Sequence, residues 1–109
     1  MYQNYEFHVI SNIHWDREWR YPFEETRTHL VELMDWLLEL LDKYPEYKYY
    51  HLDSQTIPLE DYLEIRPENR DKFKKYISEG RILFGPWYTL PDLLWPTVTD
   101  RSNLFQFWN

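Results

Sequence analysis

The residue types best suited to chemistry crowd into one short stretch, Asn12-Ile13-His14-Trp15-Asp16-Arg17-Glu18-Trp19-Arg20. His14 and Asp16 stand two apart, and in an extended segment that spacing puts both side chains on one face. An imidazole and a carboxylate on one face can bind zinc, whose nitrogen and oxygen ligands lie at about 2.0–2.2 Å. Two ligands do not make a site, so one or two more must come from elsewhere. The same pair also reads as a His and an Asp that hydrogen-bond each other in a structural loop, and the spacing leaves both readings open. Trp15 and Trp19 flank the pair. Their rings could stack on the apolar faces of a sugar or could belong to the core. Arg17, Glu18 and Arg20 read as a salt-bridge network rather than a catalytic set.

Further polar groups follow later apolar segments. Asp53 and Gln55 come after one of them; Gln55 reads as a cap for the next helix, and Asp53 reads equally as a cap or a site residue. Trp87 and Asp92 come after another, where Asp92 could contact a sugar hydroxyl or start a turn. His8 and His51 read as hydrogen-bonded sheet residues, and His29 as a partly exposed helix residue. A Ser-His-Asp triad is discounted, because no Ser sits on a sharp turn flanked by glycines. With only Gly80 and Gly85 in the chain, a Gly-rich phosphate loop cannot be built.

These residues need elements to position them. Glu6 to Ser11 is short, apolar and β-branched at its centre, which predicts a buried strand. Residues 12–22 have no clean period and read as a loop. Leu30, Leu33, Met34, Leu37, Leu40 and Leu41 form an apolar stripe within a helix from Phe23 to Tyr44. Glu24 and Glu25 suit its first turn and Lys43 its last, and Pro45 marks the stop. Tyr47 to Leu52 predicts a second strand. A short helix is expected over Leu59 to Ile65, then another from Pro67 to Glu79 capped by Gly80. Arg81 to Phe84 predicts a third strand. Alternation of strand and helix argues for an α/β fold with a parallel sheet and right-handed crossovers. Ligands in such sheets bind beyond the carboxyl ends of the strands, which singles out loops 12–22, 53–58 and 85–96.

Composition bounds the function. A length of 109 residues allows one domain. Trp, Tyr and Phe number 6, 10 and 6, so the rings need a deep core or a binding surface. The net charge of −7 disfavours nucleic acid and anionic membranes as partners. The absence of cysteine excludes disulfides and thiolate metal sites. The N-terminal residues lack the pattern of a signal peptide, and no apolar run suits a membrane span, so a cytoplasmic location is expected.

Several stretches, taken together and in order, resemble glycoside hydrolase family 38 α-mannosidases, with the bacterial mannosylglycerate hydrolase branch most similar in wording. They are Phe7-His8-Val9-Ile10-Ser11, His14-Trp15-Asp16-Arg17-Glu18-Trp19, His51-Leu52-Asp53-Ser54-Gln55-Thr56, Leu59-Glu60-Asp61-Tyr62-Leu63, Arg66-Pro67-Glu68-Asn69-Arg70 and Gly85-Pro86-Trp87-Tyr88. The resemblance covers about residues 5–92. It implies the first strand–helix repeats of an irregular parallel (β/α) barrel, incomplete in this chain. It also implies hydrolysis of α-mannosidic bonds with retention of configuration and zinc as cofactor. His14 and Asp16 match the zinc-binding His and Asp of the family's His-Trp-Asp motif. Trp15, Trp87 and Asp92 are expected to line the sugar site.

The chain also departs from the family's pattern. The nucleophilic Asp of the family's Asp-x-Phe-Gly motif, the general acid and the remaining zinc-binding His have no counterpart here. The 109 residues alone are therefore expected to be inactive, and the missing remainder of the catalytic domain is the expected partner. After Pro91-Asp92 the wording diverges, so residues 93–109 are read as a divergent tail arising from a frameshift or truncation. Asn12 stands where many relatives carry His. Open sheet edges predict that the isolated chain aggregates or is partly unfolded. Two alternatives differ in class: a non-catalytic carbohydrate- or metal-binding remnant, and a small subunit that completes a barrel with a partner chain.

Overall fold

The computed structural model describes residues 3–90. Helix α1 runs over Phe23–Lys43, α2 over Ile57–Ile65 and α3 over Arg70–Ser78, with a 3-10 turn at Pro67–Asn69 before α3. Three short strands, β1 (Ser11–Asn12), β2 (Tyr50–His51) and β3 (Ile82–Leu83), form one sheet in the order β1-β2-β3. All pairs are parallel, with Ser11 opposite Tyr50 and Tyr50 opposite Ile82. The expected α/β alternation is therefore present. Asp92 and the tail from residue 93 lie outside the described residues.

Helix α1 forms where the apolar stripe predicts it. Glu24 and Glu25 occupy its first turn and Lys43 its last, each matching the macrodipole. The Pro22 carbonyl accepts the Glu25 and Thr26 amides at 3.1 Å and so starts the helix without a side-chain cap. Leu30, Val31, Met34, Leu37, Leu38 and Leu41 are buried against Tyr50, Leu52, Tyr62, Phe73, Tyr76 and Ile82. The buried face is rotated slightly from the expected stripe, since Val31 and Leu38 lie deeper than Leu33 and Leu40. Asp35 and Asp42 flank this face. Asp35 accepts the Tyr62 hydroxyl at 2.5 Å and Asp42 accepts that of Tyr76, which ties α1 to α2 and α3.

Gly80 ends α3 with φ of 73°. Its amide bonds to the Ile77 carbonyl and the Arg81 amide to the Tyr76 carbonyl, which is the Schellman arrangement. The Arg81 guanidinium then reaches the Tyr44 and Tyr47 carbonyls at 3.0 and 2.9 Å, holding the turn that enters β2.

The first strand differs from expectation. Residues 3–10 are exposed, and only Ser11–Asn12 pair with β2. Tyr5, Phe7 and Val9 are 73%, 85% and 90% exposed. Their apolar pattern suits a strand, but a strand also needs a neighbour along its length, and β2 offers two residues. His8 accordingly sits outside the sheet, 3.2 Å from Glu6.

Candidate functional site

The loops after β1 and β2 meet just beyond the carboxyl ends of the strands. His14 follows β1 by two residues and Asp53 follows β2 by two, in equivalent places of adjacent parallel strands. The sheet thereby brings His14, Asp16 and Asp53 together. His14 Nε2 lies 3.6 Å from Asp16 Oδ2, and His14 Nδ1 lies 3.0 Å from Asp53 Oδ2. His14 and Asp16 are largely exposed, whereas the Asp53 side chain is 18% exposed.

The loop is held at both ends. Asp53 Oδ2 accepts the Trp15 amide at 2.9 Å. Gln55 is buried, and its Nε2 donates to the Trp15 carbonyl at 2.8 Å and to Asp53 at 3.0 Å. Its Oε1 accepts the Leu90 amide. Gln55 is therefore a tie between loops and not a helix cap; Thr56 precedes α2 instead, and without a side-chain cap bond. Further along the loop, the Arg17 guanidinium donates to both oxygens of Asp61 on α2. It also stacks over the Phe23 ring at 4.1 Å. Hydrogen bonding to the buried carboxylate holds the Arg17 pKa above its ordinary value. The expected network among Arg17, Glu18 and Arg20 does not form among the described residues, because Arg17 turns inward to Asp61.

His14, Trp15 and Asp16 line a concavity of about 420 Å³ with Trp19, Arg20, Tyr21, Thr26 and His29. Trp15 packs its ring partly against the core, and among the described residues its buried indole Nε1 has no hydrogen-bond partner. Trp19 is 86% exposed at the same concavity. Trp87 lies apart from this lining. Its backbone clips the 54–57 turn: the Trp87 amide donates to the Ser54 carbonyl, and its own carbonyl accepts the Thr56 amide. Next to it, Tyr88 has a pKa pushed up to about 12 by burial and then by its hydrogen bond to Glu60. On the other side of Asp53, His51 Nδ1 accepts the Ser54 amide at 3.3 Å.

The donor chemistry of the His14–Asp16 pair suits a divalent ion. Two ligands of one tetrahedral ion with bonds of about 2.1 Å stand about 3.4 Å apart, close to the observed 3.6 Å. Among the described residues, no group of three or more His, Asp or Glu side chains forms a complete metal set. Among the described residues, no helix is long and apolar enough to cross a membrane.

Comparisons with known proteins agree on one family. Residues 4–104 match the glycosyl hydrolases family 38 N-terminal domain. A protein of Halalkalibacterium halodurans named as a mannosylglycerate hydrolase is 55% identical over 85 residues, which is 78% of this chain and 10% of that protein. An alpha-mannosidase of Saccharomyces cerevisiae is 39% identical over 59 residues, covering 54% of this chain and 5% of its own length. Among solved structures, an alpha-mannosidase from Enterococcus faecalis V583 superposes with a TM-score of 0.73 and 47% identity, over 76% of this chain and 9% of that one. A second E. faecalis protein of glycosyl hydrolase family 38 gives a TM-score of 0.69 at 42% identity, over 76% of this chain and 10% of that one. The chain thus spans about a tenth of the length of most of these relatives. It belongs to the glycosyl hydrolase family 38 N-terminal domain family.

Proposed function

We propose that this chain forms the first strand–helix repeats of a (β/α) barrel in a retaining, zinc-dependent enzyme that hydrolyses α-mannosidic bonds. The observation that carries the reading is the His14–Asp16 pair, set 3.6 Å apart beyond the ends of parallel strands. His14 and Asp16 would hold the ion, with the remaining donors supplied from outside the described residues. Bound zinc would supply a Lewis acid against sugar hydroxyls. Trp15 and Trp19 give the concavity an aromatic wall suited to the apolar face of a sugar. Trp87 and Asp92 remain proposed lining residues, and for Asp92 the support is its place after β3 in the sequence. The two carboxyl groups that a retaining glycosidase needs, nucleophile and acid/base, would come from outside this chain. The 109 residues alone would therefore not turn over an α-mannoside.

Zinc titration of the chain in competition with a chromophoric chelator tests the reading. Weak binding is expected, with loss on His14→Ala or Asp16→Ala. Zinc binding that neither variant weakens would remove the metal reading. Hydrolysis of an aryl α-mannoside by the 109 residues alone would contradict the proposed division of labour.

A further inference from the structure

Asp53 and Ser54 sit in a conformation that most non-glycine residues avoid and that Asp tolerates better than Ser. The φ of Asp53 is 52° and that of Ser54 is 57°, two successive non-glycine residues in the left-handed region. Such residues persist only where surrounding contacts over-determine them, and they cluster at functional sites. Here the turn has a visible result. It brings a single carboxylate oxygen, Asp53 Oδ2, to the Trp15 amide at 2.9 Å, to Gln55 Nε2 at 3.0 Å and to within 3.0 Å of His14 Nδ1. Gln55 is itself fixed by Trp15 and Leu90, so the oxygen has little freedom to move. The opposite ring nitrogen of His14 faces Asp16.

We propose that Asp53 is a positioning residue for the zinc ligand His14, a role that rests on the zinc reading above. Asp53 Oδ2 accepts a hydrogen bond from Nδ1–H of the neutral imidazole, which keeps the proton on Nδ1 and leaves the Nε2 lone pair bare on the side of Asp16. Metal-binding histidines commonly give their other N–H to a carboxylate, which sets tautomer and ring orientation and raises ligand basicity. Because Asp53 faces the non-ligating nitrogen, it acts through His14 rather than on the ion. The backbone strain at 53–54 is the structural cost of aiming that oxygen across two loops.

Ring nitrogen–proton correlation spectra of the metal-free chain, with the imidazole neutral, read the tautomer directly. The wild-type chain is expected to carry the His14 proton on Nδ1. Asp53→Gly removes the carboxylate while relaxing the left-handed backbone. In that variant the proton is expected to move to Nε2, and zinc affinity to fall about 10–100-fold. A wild-type proton on Nε2 overturns the proposal without need of any variant. An unchanged tautomer or unchanged zinc affinity in Asp53→Gly also overturns it. Failure of the underlying metal reading looks different: the wild-type tautomer is as expected, but His14→Ala leaves zinc affinity intact.

Discussion

Arg17 and Asp61, 44 residues apart in sequence, are joined by two parallel hydrogen bonds of 2.8 and 3.0 Å. The Asp61 side chain is only 4% exposed, while that of Arg17 is 43% exposed. Removing the cation would leave a buried carboxylate without its partner, which is costlier than losing both charges. Arg17→Met is therefore expected to destabilise the chain by about 2 kcal/mol, discounted because water screens the guanidinium. The double variant Arg17→Met, Asp61→Leu should lose less. Urea unfolding checks both, and an Arg17→Met midpoint equal to wild type would show that the pair does not anchor the loop.

The loop that this pair anchors was partly legible in the sequence. His14 and Asp16 stand out because an i, i+2 spacing is a local signal, and the structure brings the two side chains together. Asp53 could not be ranked above a cap, because its partners Trp15 and His14 lie more than 35 residues upstream and meet it only through strand pairing. Gln55 was misread for the same reason. Helix α1 was readable almost to the residue, since 21 residues of periodic pattern carry their own evidence. Residues 6–10 differ from the buried strand expected of them because a short apolar, β-branched run reports a capacity to pair, and pairing also needs a neighbour.

At Gly80 the need for glycine is conformational rather than steric. Its φ is 73°, and a Cβ placed there would meet no atom within 4 Å. Gly80→Ala should therefore cost only the left-handed penalty of about 1 kcal/mol. Gly80→Asn should cost less, because Asn tolerates that region better. Thermal unfolding of the two variants orders them, and a larger loss for Asn would contradict the argument.

Stability should fall in alkali. Burial raises the pKa of Tyr50, and burial with a hydrogen bond to Asp35 raises that of Tyr62. Tyr88 is pushed up to about 12 by burial and by its bond to Glu60, against an ordinary value of 10.0. In each case the folded chain holds its proton more tightly than the unfolded chain. The contribution is complete below the unfolded value of 10.0 and is lost as pH rises through the folded value. For Tyr88 the window is therefore pH 10.0 to about 12. Urea midpoints at about pH 9 and about pH 11 should differ, the latter being lower. Tyr88→Phe should shrink that difference even if it lowers both midpoints. Equal midpoints for wild type would mean that these hydroxyls titrate alike in both states.

The exposed apolar residues before β1 should govern self-association. Tyr5, Phe7 and Val9 are each more than 70% exposed, and Ile10 is 50% exposed. The sheet leaves them uncovered, since the pairing of this segment with β2 begins only at Ser11. Apolar surface of this kind associates because its burial removes it from water, at about 25 cal/mol per Å². Phe7→Lys with Val9→Lys adds positive charge to the run and removes two of its side chains. Because neither side chain supports the core, the substitutions should leave the unfolding midpoint within about 0.5 kcal/mol of wild type. They should also shift sedimentation toward the monomer at concentrations where the wild-type chain associates. Association that persists unchanged in the double variant would move the sticky surface elsewhere. The next candidate is the apolar hollow lined by Leu59, Leu63, Phe73, Ile77 and Phe84 between α2 and α3.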